Sequence, residues 1–279
     1  MKTVTSVTDK LTLNHSRLCN GYKTPIGIIG GVGPHAHIDF ERYLLGQEAC
    51  DQDYPSYVLV NASYVADRTQ AYLAKQHGEA LLADPFLGLQ SAVITLLRAG
   101  CEKICIVCNT AHLWLPELQV TFPMVEFISI IDTSIQAIQA RQIEEVILLA
   151  TTGTIQSELY GKALEAAGIR VHLPNPGQQE KVDHGIYGDP AHGLGGVKTG
   201  DVLAGRLAFE AVAWEILQHL ARERNLSIDT LLNQGQIGLG FFCTEIGVAV
   251  ADQALLQIAI DSTKELAIAM RKIAKQTVQ

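Results

Sequence analysis

Charge is scarce in this chain. Lys, Arg, Asp and Glu together make up 18% of its 279 residues, and the balance is acidic, with a formal net charge of −8. Aromatics stand at 6% and no basic run interrupts the chain, so neither nucleic acid nor an anionic membrane fits as a main partner. No apolar stretch reaches the roughly 18 residues that a membrane span needs. The first 24 residues are polar and lack the apolar segment of a secretory signal; a disordered tail is expected there. In that setting the six cysteines read as reduced thiols of a cytoplasmic protein rather than as a disulfide framework.

What is plentiful is core material. Hydrophobic residues reach 48%, and the length suits about two ordinary domains or one large one. The stretch Lys103-Ile-Cys-Ile-Val-Cys-Asn-Thr-Ala-His112 reads as a short buried strand over Lys103 to Val107. It delivers a thiol and then Asn, Thr and His into the loop beyond, as open α/β sheets present their chemistry. Gln236-Ile-Gly-Leu-Gly-Phe-Phe-Cys-Thr-Glu245 repeats the arrangement 135 positions later. Two such strand ends, about half a chain apart, suggest a site built from both halves. Cys101, Cys105 and Cys108 also match the C-x3-C-x2-C spacing of a radical iron–sulfur motif. That motif needs its sulfurs on one flexible loop, whereas residues along a strand alternate between faces. Buried or catalytic single thiols are the better reading, with Cys105 in the core and Cys101 half-buried.

Earlier in the chain, Pro25 to Pro34 gives a first strand and a glycine-rich turn, followed by a helix over about Ala36 to Gln47. Gly31-x-Gly33-x-x-Ala36 fits the dinucleotide fingerprint, whose glycines let a pyrophosphate approach a helix N-terminus. The second strand, Tyr57 to Ala62, ends in Asn61-Ala62-Ser63 without the acid that would grip a ribose. The competing reading is a tight turn that holds a smaller anion or lets the chain pass. Arg68, in the loop after that strand, is either a solvated charge or a fork for a carboxylate. Asp84-Pro85 opens a helix as N-cap and N1 proline. Val125 to Ile131 reads as a strand with a helix over 132–142. A second half restarts at Glu145 to Ala150, turns at Thr151-Thr-Gly-Thr154 and runs on as one amphipathic helix to Ala167. The Gly-rich stretch from Asp183 to Gly200 has the length of a lid or mouth loop. His184 and His192 in it lack a third ligand at metal spacing, so solvated histidines are the better reading and no metal site is expected. Ser262-x-x-Glu265 reads as a capping box for the terminal helix.

Taken in order, six blocks resemble those of the aspartate/glutamate racemase family, most of all its aspartate racemase branch. They are Ile26-Gly-Ile-Ile-Gly-Gly-Val-Gly-Pro34, Ala66-Asp-Arg-Thr69, Cys108-Asn-Thr-Ala-His112, Ala150-Thr-Thr-Gly-Thr154, Val197-Lys-Thr-Gly200 and Cys243-Thr-Glu-Ile246. The likeness spans about residues 25–275, and the paired Cys-Asn-Thr-Ala-His and Cys-Thr-Glu blocks are its specific part. It implies two pseudo-symmetric open parallel-sheet (flavodoxin-like) α/β domains with the site between them. The first would take residues 25–130 and 247–279, the second residues 131–246. It also implies Cys108 and Cys243 as proton-transfer thiols, and Asn109, Thr110, Thr154 and Thr244 as substrate-binding residues. Arg68 and Lys198 would bind the side-chain carboxylate of a small acidic amino acid. No cofactor, pyridoxal phosphate included, and a homodimer complete the expectation. This chain departs from the family pattern at Val32 (often Met), Ala66 (often Pro), Phe242 (usually Gly) and in a longer loop before Lys198. These departures bear on side-chain specificity more than on the reaction.

The residues suit that chemistry. Racemising an α-carbon means removing a proton on one face and returning one on the other, so two acid/base groups must flank it. A free thiol titrates near 8.5, so one of the pair must be held as thiolate. Three readings stay open: a racemase for aspartate or glutamate, a related isomerase or decarboxylase of a small carboxylate, and a non-catalytic two-domain carboxylate binder.

Overall fold

The computed structural model describes residues 24–33, 35–48 and 53–276, so the expected disordered tail lies outside the described residues except for Thr24. In chain order the first half runs β1 (Ile26–Gly30), α1 (Ala36–Leu45), β2 (Tyr57–Asn61), α2 (Arg68–Gln76), α3 (Pro85–Arg98), β3 (Lys103–Ile106), α4 (Leu115–Thr121), β4 (Glu126–Ile128) and α5 (Ile130–Ala140). The second half begins with β5 (Glu145–Leu149), α6 (Thr152–Gln156), α7 (Gly161–Ala166), β6 (Arg170–His172) and α8 (Pro176–Tyr187). It continues with α9 (Val202–Glu223), α10 (Ile228–Asn233), β7 (Ile237–Phe241), α11 (Thr244–Ala249), α12 (Gln253–Gln257) and β8 (Ala259–Asp261), and α13 (Ser262–Gln276) closes the described chain.

The strands form two four-stranded sheets, ordered β2-β1-β3-β4 and β6-β5-β7-β8. Every pairing is parallel, as the α/β reading expected. Each order is the other with its strands renumbered, so the two halves share one topology. Parallel strands covered on both faces read as continuous apolar runs, and β1, β5 and β7 are buried at every position. Alternation sends Ile26, Ile28, Cys105 and Val107 to one face of the first sheet, against Phe40 and Leu44 of α1. Ile29, Ile104 and Ile106 go to the other face, against Leu89, Val93 and Leu96 of α3. The chain leaves β1 toward β2 on one side and returns to β3 on the other, which opens a crevice at the carboxyl ends of β1 and β3. The same reversal occurs at β5 and β7. Both thiol loops leave the sheets at these points.

Several boundaries differ from the sequence reading. Helix α5 starts at Ile130 because Ser129 Oγ accepts the amides of Ile131 and Asp132, each at 3.2 Å. The single helix expected up to Ala167 is broken into α6 and α7, with Glu158 in the left-handed region at φ 54° between them. Strand β6 and helix α8 carry the chain where no element was read. Asn175 and Gln178 form a capping box at the start of α8, with Pro176 at its first position. The mouth loop is therefore shorter than expected and begins at Gly188. Cys101 is fully buried rather than half-buried.

The expected capping box at Ser262 does not form. Ser262 Oγ donates to Phe241 O at 2.8 Å, and Asp261 Oδ1 accepts the amide of Thr263 at 2.9 Å instead. Glu265 turns to Arg141 at 2.5 Å. The return to the first half also comes later than residue 247. Strand β8 pairs with β7, and Ala249, Val250 and Leu255 pack in the second half's core. From Ser262 onward α13 lays Leu266, Ala267 and Met270 against Phe40 and Leu44 of the first half.

Candidate active site

The first thiol loop is fixed from behind. Val107 continues the line of β3 with its amide on Ile29 O at 2.9 Å, and Cys108 follows, 7% exposed. A 3-10 turn over Thr110–Trp114 then places His112 under the loop. His112 Nδ1 lies 2.9 Å from Cys108 O, and its Nε2 accepts the amide of Ile130 at 3.1 Å. Both contacts are satisfied by a neutral ring with its proton on Nδ1. Burial favours that neutral form and draws the imidazole pKa down to about 4. Asn109 is held at both ends of its amide, Oδ1 accepting from Tyr160 OH at 2.6 Å and Nδ2 donating to Ser262 Oγ at 3.1 Å. Tyr160 in turn stacks on Phe242, with centroids 3.9 Å apart and planes 5° off parallel. The Phe at this family-divergent position fits because Gly240 leaves its ring free: a Cβ there would stand 2.5 Å from it. Thr110 Oγ1 meets Thr151 Oγ1 at 3.1 Å and Thr154 Oγ1 at 2.9 Å, tying the first half's thiol loop to the second half's opening turn.

The second thiol, Cys243, is 5% exposed and sits where β7 gives way to α11. Its Sγ donates to Glu245 Oε2 at 3.2 Å, and Thr244 Oγ1 donates to the same oxygen at 3.0 Å. The other carboxylate oxygen, Oε1, is buried without a hydrogen-bond partner. It rests on Gly33 of the first half, so closely that a Cβ at Gly33 would stand 1.8 Å from it. That contact decides the role of the glycine-rich turn. Gly31 gives way to Asn61, with φ 74° and a would-be Cβ 1.9 Å from Asn61 Oδ1, and Gly33 gives way to Glu245. A pyrophosphate at this turn would meet a buried carboxylate, so the dinucleotide reading does not fit.

Two cations complete the cluster. Arg68 opens α2 behind the N-cap Asp67 and is 8% exposed. Its Nη1 donates to Val65 O at 3.3 Å and Ala66 O at 3.1 Å, and its Nη2 donates to Val32 O. Nε is buried without a hydrogen-bond partner, and the guanidinium also reaches the Cys108 thiol. The fork is therefore anchored largely on backbone, beside one of the thiols. Burial works against its charge, but Cys108 and Asp67 outweigh that and hold it more firmly protonated than usual. Lys198 is half-buried, with Nζ 4.4 Å from the centroid of the Tyr187 ring, and Tyr187 OH lies 2.9 Å from Thr69 Oγ1. Burial disfavours the Lys198 charge too, yet Glu245, Tyr187 and Cys243 together raise its pKa. Burial first, and the Glu245 charge second, push the Cys243 thiol well above the ordinary range.

Cys108, Arg68, Lys198, Cys243, Asn109, Thr110, Thr154 and Thr244 thus converge where the two sheets' carboxyl ends meet. His184 and His192 stay outside, gathered around Asp189 at 4.0 and 2.6 Å. No cluster of three potential metal ligands occurs among the described residues. A polar groove of about 640 Å³ beside His172, Glu215 and His219 lies elsewhere and contains no thiol. Glu245, His112, Tyr160 and Tyr187 had no assigned role from the sequence. For Glu245 the signal was there, an acid following a thiol at the end of a fully apolar strand.

The profile of one family, Asp/Glu/hydantoin racemases, matches residues 29–215. The chain belongs to that family. Among solved structures, an aspartate racemase of Picrophilus torridus superposes with a TM-score of 0.68 at 26% identity, covering 90% of this chain and 94% of that one. A Pyrococcus horikoshii OT3 protein described as an aspartate racemase homologue shares the fold, with a TM-score of 0.60, 23% identity and coverage of 90% and 99%. The broad specificity amino-acid racemase RacX of Bacillus subtilis is 29% identical over 155 residues. That match takes in 52% of this chain and 63% of RacX, less than two thirds of its length.

Proposed function

We propose that this protein is a cofactor-independent amino-acid racemase that interconverts L- and D-aspartate, with glutamate as the nearest competing substrate. The observation that carries the reading is one buried cluster in which two thiols leave topologically equivalent strands, β3 and β7, from opposite halves of the molecule. The charges around them are complementary to an acidic amino acid. Arg68 and Lys198 supply two positive groups for the substrate's carboxylates, and Glu245 adds one negative charge to the wall beside Cys243. On this reading one thiolate removes the α-proton and the other thiol returns a proton on the opposite face. Backbone amides after each Cys stabilise the enediolate that develops between the two steps. Asn109, Thr110, Thr154 and Thr244 then shape the walls, their side chains held by protein partners. A homodimer in a reducing cytoplasm is the setting proposed, and light scattering of the purified protein would report the assembly.

The test is α-proton exchange. The protein is incubated with L- or D-aspartate in deuterated water and the α-position followed by NMR. Loss of the α-signal from both enantiomers, with optical rotation decaying to zero, is the expected result. Rotation that persists with no deuterium uptake, for aspartate and glutamate alike, would overturn the reading.

A further inference from the structure

The two thiols do not have equivalent surroundings. Cys108 has a guanidinium beside it, fixed by three backbone carbonyls. Cys243 has a carboxylate, hydrogen-bonded to its sulfur at 3.2 Å. Glu245 cannot easily leave that position. It is 2% exposed, Thr244 Oγ1 holds the oxygen that faces the sulfur, and Gly33 of the other half backs the second oxygen. A sulfur in contact with a fixed carboxylate oxygen needs a proton between them, since two anions at that distance repel strongly in a dry site.

We infer that Glu245 is a positioning residue that keeps Cys243 protonated between turnovers, so that the resting protein offers Cys243 as an acid. The inference rests on the two-thiol reading and assigns a resting state to the second of its thiols. The other charges near this end do not reverse it. Lys198 favours a Cys243 thiolate, but its influence on the sulfur is smaller than that of the hydrogen-bonded Glu245. Tyr187, on α8, faces Lys198. Arg68, on α2, serves the other thiol. Of the elements packed on α11, α9 brings Arg206 to the far end of that helix, on Ala249 O at 3.0 Å. α1 and α13 turn Asp39, Tyr43 and Lys264 toward Asp261 instead.

The experiment is the pH dependence of alkylation by iodoacetamide, with the Cys108 and Cys243 peptides quantified separately by mass spectrometry. In the unsubstituted protein the Cys243 midpoint should lie above that of an ordinary thiol. Glu245→Gln keeps an oxygen that can accept the S–H bond but removes the charge. It should lower the Cys243 midpoint by about one pH unit or more, a roughly tenfold gain in alkylation rate near neutrality, and leave Cys108 unmoved. Glu245→Asp, whose carboxylate is drawn back by one methylene, should fall between the two, and it serves as the test if Glu245→Gln does not fold. A purely structural Glu245 predicts an unchanged midpoint in either variant, and that result overturns the inference. Alkylation needs no turnover, so a protein that fails to racemise aspartate would sink the proposed function while leaving this measurement readable.

Discussion

At the scale of single residues, the site depends on what small side chains leave free and on what sulfur can do that oxygen cannot. Replacing Cys108 or Cys243 with Ser swaps a thiol for a hydroxyl, intrinsically a far weaker acid and too weak for proton transfer at neutral pH. Each variant should lose racemisation by roughly 10²–10⁴-fold or more. Each should keep slow deuterium exchange of one enantiomer, and the favoured enantiomer should be opposite in the two. NMR of L- and D-aspartate in deuterated water reads this directly; equal preference in both variants would mean that one thiol does all the work. Gly33→Ala probes the contact between the halves. Its Cβ would stand 1.8 Å from Glu245 Oε1, so the carboxylate must shift. Turnover should fall by about 10²-fold, the usual scale of an ångström-sized misplacement. Wild-type turnover in this variant would mean that the position of Glu245 is unimportant.

At the scale of elements, the 3-10 turn over Thr110–Trp114 acts as a clamp, with His112 as its pin. The imidazole joins the carbonyl of Cys108 to the first amide of α5, one of the donors that a helix start leaves without an intrahelical partner. The clamp is pH-dependent with a definite sign. The folded pKa of about 4 lies below the ordinary His value of 6.5, so the unfolded chain binds the proton more readily. The stabilisation is complete above about 6.5 and is lost as pH falls through 6.5 toward 4. From pH 7 to pH 4 the stability advantage of the protein over His112→Gln should shrink by about 3 kcal/mol. The comparison with the variant matters because Asp261, raised to about 6 by burial, works in the opposite sense as pH rises through the same range. Urea unfolding of both proteins at each pH measures the difference. A gap independent of pH would mean that His112 titrates normally.

At the scale of the whole molecule, the chain visits the first half, builds the second, and comes back in one helix. Met270 is fully buried on α13 in the cluster that contains Phe40 and Leu44. Met270→Ala should therefore cost about 2–5 kcal/mol, read as a shift of the urea midpoint. The loss should appear in one transition that carries both halves, because Asn109, Tyr160 and Ser262 link the two sheets through buried hydrogen bonds. Two separate transitions, with only one moved, would show that the halves unfold independently.

The architecture was legible because it rests on local pattern. Branched runs such as Ile26 to Ile29 and Val146 to Leu149 can be little but buried parallel strands, and two Cys-Thr-like strand ends half a chain apart announced the repeat and the place of the site. Helix α8 and strand β6 were missed, since a three-residue strand and a helix of Gln, Glu and Gly carry weak periodicity. The late crossover at Ser262 was missed as well, because its serine serves Phe241 O and not its own helix. Most of the electrostatics of the cleft was beyond the sequence, although the acid two positions after Cys243 was in view. Glu245 lies 212 positions from Gly33 and Arg68 lies 40 from Cys108, and no spacing rule relates charges on different elements. That a guanidinium comes to Cys108, and that Gly33 of the other half pins Glu245 against Cys243, follows from how the two halves pack, where low dielectric makes a contact of about 3 Å decisive. The sequence by itself determined most of the strands, the repeat, the two thiols and the acid after the second; the tertiary structure decided what packs against each of them, because those contacts join residues far apart in the chain.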